Sequence, residues 1–176
     1  MVLAVGAHPD DIELGCAATL RAHVLAGDRV VLLVLTNGAA GPGSIDARRD
    51  EQLAAAHVIG AELRWGNLRA GRIDEGYETV AVVESVLNEI NATIVYTPAP
   101  EDSHQDHRAV SRAVTSASRH IDTVLYFESP SSINFVPHLY ADVSGCAQTK
   151  VDAVKAHDSQ TRVALSAGSG STFGPR

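Results

Sequence analysis

The chain has 176 residues, 45% of them hydrophobic and 20% charged, and a formal net charge of −7 at pH 7. This length favours a single domain with one core, and no apolar run is long enough to span a bilayer. Fourteen basic against 21 acidic residues, with no basic stripe, exclude a typical nucleic-acid binder, because phosphate neutralisation supplies most of that affinity.

Val2–Gly6 is an apolar run of strand length that leads straight into a polar cluster. No basic region precedes it, so it reads as a buried first strand rather than a signal peptide, and a cytoplasmic location is the default expectation. Asp11–Ala26 places apolar residues at helical spacing and stops at Gly27. Arg29–Leu35 is a second strand, and the three segments form a βαβ unit. Ile45–Ile59 is Ala-rich, helix-forming and ends at Gly60. Helix Thr79–Ile90 leads into strand Thr93–Tyr96, and helix Asp106–Arg119 into strand Thr123–Phe127. Such alternation predicts an α/β fold: a Rossmann-like, doubly wound three-layer sandwich with a mostly parallel sheet.

Thr36–Ser44 and Ser129–His138 lack periodicity and are expected as loops. Residues 1–165 are expected to form one domain, and the Gly/Ser-rich Ser166–Arg176 a flexible tail. The Ala/Val-rich face of Ala54–Val58 suits either core or a subunit contact, which leaves a homo-oligomer open. Cys16 and Cys146 form no CxxC pattern, so a metal must be held by His, Asp or Glu.

Parallel α/β sheets bind ligands beyond the C-terminal ends of their strands. Two clusters rich in His and Asp fall there: His8-Pro9-Asp10-Asp11 after the first strand, and Glu101 to His107 after Thr93–Tyr96. Taken singly, each has an ordinary structural reading. The first is a turn in which Asp10 or Asp11 caps a helix, and the second a solvated helix start capped by Ser103. Taken together at two strand ends, they predict a metal site with His8, Asp11 and His107 as ligands and one position left for water. Asp10 is the candidate general base. His104, one turn from His107, is the candidate oxyanion stabiliser if protonated, and Asp106 the acceptor that fixes a histidine tautomer.

These residues resemble a known family. Ala7-His8-Pro9-Asp10-Asp11 with Glu13, and His104-Gln105-Asp106-His107, resemble the AHPDDxE and HPDH motifs of the PIG-L / LmbE-like zinc-dependent N-deacetylases. Thr36-Asn37-Gly38, Arg48 with Glu51, Glu128-Ser129-Pro130, Lys150 and His157-Asp158-Ser159-Gln160 look like further landmarks, so the resemblance covers roughly residues 2–160. It implies one zinc ion per chain on His8, Asp11 and His107, Asp10 as base, and His104 tuned by Asp106. Other transition metals suit the same nitrogen and oxygen donors. The resemblance also implies that Arg48 touches substrate, with pairing to Glu51 as the alternative. Asn37 is a second candidate substrate contact, with a turn role as its alternative. The implied activity is hydrolysis of an N-acyl group, mainly N-acetyl, on an amino sugar or its conjugate. A cysteine-conjugate amide and a metal-binding non-enzymatic subunit are the alternatives. Gln105 stands where the family has proline, and the C-terminal part that often walls the family's pocket is short. A dinucleotide binder is excluded, because the turn after the first strand carries two carboxylates instead of G-x-G-x-x-G. The partners expected are a small N-acylated substrate, no nucleic acid and no membrane.

Overall fold

The computed structural model describes residues 1–39 and 41–160, so the expected 166–176 tail lies outside the described residues. Among the described residues five strands run β1 (Val2–Gly6), β2 (Val30–Thr36), β3 (Glu62–Leu68), β4 (Ile94–Pro98) and β5 (Thr123–Phe127). They pair in the order β3-β2-β1-β4-β5, and every pairing is parallel. The helices named among the described residues are α1 (Asp11–Leu25), α2 (Ile45–Ile59), α3 (Tyr77–Ile90), α4 (Gln105–Ala117) and α5 (Ala147–Lys155). The Rossmann-like doubly wound fold expected from the sequence is the fold observed.

Strands β1 and β2 bury every residue, because helices cover both faces of the sheet. Leu3, Val5, Val31, Leu33 and Leu35 pack with Val83, Leu87 and Ile90 of α3 and Val110 and Val114 of α4. Their alternates Val2, Ala4, Val30, Leu32 and Val34 pack with Ile12, Cys16 and Leu20 of α1, Ala55, Ala56 and Ile59 of α2, and Ala153 of α5. Ala55 and Ala56 are thus core. Three layers follow directly from period-two alternation along the central strands.

Two elements, β3 and α5, are absent from the sequence reading. Strand β3 (ELRWGNL) lies at the sheet edge, is only half-buried and carries charge, so it has no continuous apolar run. A register shift opposite Val34 and Thr36 and a left-handed Asn67 (φ 55) interrupt it further. Helix α5 spans nine residues and buries only Ala153 fully, too little to print an apolar stripe.

From the central β1 the chain winds outward to β2 and β3, and α3 carries it back to β4 and β5 on the other side. The winding direction reverses between β1 and β4, where the diverging loops leave a crevice at the strands' C-terminal ends. The two histidine clusters follow these two strands.

Candidate functional site

The turn after β1 is built by its own residues and by two neighbouring elements. Asp11 Oδ2 accepts the backbone N–H groups of Ala7 and His8, each at 2.9 Å. Thr36, at the end of β2, donates its N–H (3.0 Å) and hydroxyl (2.9 Å) to the Ala7 carbonyl. Asp10 precedes α1 in the left-handed region, φ 100 and ψ −25, and its side chain makes no capping hydrogen bond.

The loop after β4 is organised around two buried carboxylates. Asp102 accepts the His104 N–H at 2.8 Å, the Ser129 hydroxyl in a short hydrogen bond, and His107 Nδ1 at 3.1 Å. Asp106 is fully buried and accepts the N–H groups of Gly71 (2.7 Å) and Ile73 (3.3 Å) together with His8 Nε2 at 2.9 Å. The resemblance joins Asp106 to His104; its carboxylate in fact meets His8. His104 instead uses Nδ1 to accept the Asp106 N–H at 3.2 Å, making His104 rather than Ser103 the N-cap of α4.

These contacts bring the predicted histidines together. The rings of His8 and His107 lie 5.5 Å apart, those of His104 and His107 stack at 4.6 Å, and nitrogen donors from all three fall within 4.8 Å of one another. Asp11 lies between two of them, with Oδ2 3.6 Å from His8 Nδ1 and Oδ1 3.2 Å from His107 Nε2. Donors held tetrahedrally at about 2.0–2.2 Å from a zinc ion sit about 3.3 Å apart. The nitrogens of His8, His104 and His107 form a cluster that could hold a divalent cation, and Asp11 borders it between His8 and His107. His8 and His107 each give their other ring nitrogen to a buried carboxylate, the arrangement that fixes tautomer and orientation in metal-binding histidines.

The electrostatics follow from the same packing. Burial disfavours charge on His8 and His107, but the hydrogen bonds and negative charge of their carboxylates win, raising both, His107 to about 9. Burial pushes the Asp11 carboxyl upward, yet the hydrogen bonds from His107 and His8 outweigh it and leave Asp11 well below the usual carboxylate range. Asp10 has no such donor. Burial and the neighbouring Asp11 charge raise it to about 7. His104 is lowered by burial and by the positive charges on His8 and His107. These residues line a cleft of about 420 Å³ with Leu14, Gly38, Gly41, Arg48, Ala70, Pro130, Ser131 and Gln160.

A family profile described as PIG-L, GlcNAc-PI de-N-acetylase, matches residues 3–118. The chain belongs to the PIG-L family. It is 34% identical over 169 residues to the uncharacterized deacetylase YaiS of Escherichia coli (strain K12), covering 90% of each chain. It is 28% identical to the diacetylchitobiose deacetylase of Thermococcus kodakarensis, over 90% of this chain and 69% of that one. Among solved structures it resembles the conserved protein TT1542 from Thermus thermophilus, with a TM-score of 0.86 and 25% identity over 90% of this chain and 79% of that one.

The other residues singled out in the sequence occupy definite places. Arg48 does not pair with Glu51. Its terminal nitrogens donate to the carbonyls of Gly38 (3.2 Å) and Pro9 (3.0 Å), while Glu51 accepts the N–H and hydroxyl of Ser159 at 2.8 and 2.7 Å. Gly38 has φ +69, and a Cβ there would stand 2.6 Å from Arg48 Nε, so both conformation and space require glycine. Asn37 Oδ1 accepts the Ala39 N–H at 3.1 Å and closes a local turn. His138 and Cys16 line a separate, largely apolar groove of about 510 Å³ along β5. His23 is satisfied by Asp28 and the Tyr96 hydroxyl, and Trp65 is half-buried beneath the Arg49 guanidinium.

Sequence reasoning missed Ser131 and Gln52, and it gave no role to Asp102, Ser129 or His157, although all three fall in segments it singled out. Asp102 is one acidic residue among several near His107, and nothing local marks it as the partner. Gln52 did leave a signal: Arg48, Gln52, Ala55, Ala56 and Ile59 form one buried helical stripe, in which two polar residues are out of place.

Proposed function

We propose that the chain is a divalent-metal-dependent N-deacetylase that removes an acetyl group from an amino sugar or its conjugate, with zinc as the ion. Family membership and the deacetylase relatives support the reaction class. The observation carrying the metal reading is the pairing of His8 with Asp106 and His107 with Asp102, which leaves His8 Nδ1 and His107 Nε2 facing Asp11. A cation held by His8, Asp11 and His107 would acidify a water to near neutral pH and polarise an acyl oxygen.

The remaining steps belong to the chain's own side chains. Asp10 accepts the proton of the attacking water and later delivers it to the departing amine, for which a carboxyl titrating near neutrality is suited. His104 accepts the Asp106 N–H at Nδ1, so a neutral ring carries its proton on Nε2. That N–H donates to the oxyanion of the tetrahedral intermediate without the ring being charged. Arg48, Gly38 and Gly41 wall the cleft.

Purification without chelator, metal analysis and an acetate-release assay on N-acetylglucosamine and N,N′-diacetylchitobiose test this reading. Turnover that dialysis against a chelator abolishes and zinc restores supports it. Full occupancy at His8, Asp11 and His107 without acetate release from a wide panel, cysteine-conjugate amides included, refutes it.

A further inference from the structure

Asp10 presents its carboxylate from a backbone that L-residues rarely adopt, φ 100. Such a conformation persists only where surrounding contacts over-determine it. Those contacts converge on one peptide group. The Pro9 carbonyl accepts from Arg48 at 3.0 Å, and the Asp10 N–H donates to Gln52 Oε1 at 3.2 Å. Carbonyl and N–H are the two poles of the Pro9–Asp10 peptide. Arg48 and Gln52 are four residues apart on α2, one helical turn, and reach from the same face.

The far side of the clamp is equally determined. Gln52 Nε2 donates to Glu13 Oε1 at 2.7 Å, and both residues are fully buried. A carboxylate beside an amide selects its nitrogen, so Gln52 must turn its oxygen to Asp10. Glu13 Oε2 lies 3.6 Å from Nε2 of the buried His157. At the other pole, Arg48 Nη1 donates to the Gly38 carbonyl, which fixes the guanidinium against the loop after β2.

We infer that Arg48 and Gln52 are positioning residues that grip the Pro9–Asp10 peptide at both poles and thereby aim the Asp10 carboxylate. This rests on the reading of Asp10 as the base and assigns Arg48 a task distinct from substrate contact. Rotation of that peptide would swing Asp10 without disturbing Asp11, whose carboxylate is braced separately by Ala7 and His8. The clamp therefore acts on proton transfer and leaves metal binding alone.

The test is Gln52→Met, which conserves volume and removes both hydrogen bonds, combined with Glu13→Gln so that no buried carboxylate loses its donor. At full zinc occupancy kcat for N,N′-diacetylchitobiose is expected to fall by about 10- to 100-fold with KM changed less than about twofold, the scale of a misaimed group. In an Asp10→Asn background the same changes should add little further loss, because the clamp works through Asp10. Two further readouts need no activity. The Asp10 amide of the wild type should exchange slowly with deuterium and become fast in the variant, and a crystal structure of the variant should show Asp10 displaced with His8, Asp11 and His107 in place. An unchanged kcat, losses that multiply in the Asp10→Asn background, or an Asp10 amide that is unprotected in the wild type would overturn the clamp. Wild-type turnover in Asp10→Asn alone would instead overturn the assignment of the base.

Discussion

His107 stands between two carboxylates, its Nδ1 3.1 Å from Asp102 and its Nε2 3.2 Å from Asp11. The two contacts are not equivalent. Asp102 is fixed from behind by the Ser129 hydroxyl and the His104 N–H, so it orients the ring. Asp11 faces the cleft and also approaches His8.

Asp102→Asn should therefore weaken metal binding without removing a ligand. Carboxylate partners of metal-bound histidines commonly contribute about 10- to 100-fold in affinity. Competition against a chromophoric zinc chelator measures it. Wild-type affinity in Asp102→Asn would reduce the Asp102 contact to a packing role.

His104 belongs to the same nitrogen cluster but lacks a carboxylate behind it, and its Nδ1 is occupied by a backbone N–H. His104→Ala is expected to retain one zinc per chain while losing about 100-fold or more in kcat, the usual effect of deleting an oxyanion donor. His8→Ala and His107→Ala should lose the metal itself. Metal analysis separates the two outcomes, and loss of zinc from His104→Ala would make that residue a ligand.

The fold was legible because β1 and β2 are buried on both faces and print continuous apolar runs, while α1 and α2 end near glycines. The histidine cluster was legible because His8 and His107 belong to the segments that follow adjacent central strands. What stayed hidden depends on contacts between distant segments. No local pattern tells that Asp106 meets His8 across 98 residues, or that Gln52 answers Asp10 from another helix. Strand β3 escaped for a different reason: an edge strand with a register shift needs little continuous hydrophobicity.

Gly15 of α1 faces Phe127, the last residue of β5, and a Cβ there would come within 2.2 Å of the buried Phe127 ring. Two effects compete in Gly15→Ala. Helix propensity favours alanine by about 1 kcal/mol, whereas overpacking against a buried ring costs about 1–3 kcal/mol. At 2.2 Å the clash wins, so the thermal midpoint should fall, and Phe127→Leu should relieve part of the loss in the double variant. A midpoint at or above wild type in Gly15→Ala alone would mean that α1 shifts freely away from β5.

Asp10 links the site to pH in two ways with opposite signs. Its carboxyl is raised from 3.8 to about 7 by burial and the Asp11 charge, so in the metal-free protein the folded state holds this proton longer than the unfolded chain. The resulting stability is full below about pH 4 and is lost as pH rises towards 7. Metal-free Asp10→Asn should lack that slope, with a thermal midpoint that gains on wild type across the interval. Activity runs the other way, because the base must be ionised: kcat/KM should rise with pH along an acid limb set by Asp10. A cation beside Asp11 favours the ionised form, so the loaded enzyme's midpoint should fall below 7. An identical acid limb in the residual activity of Asp10→Asn would transfer it to another group.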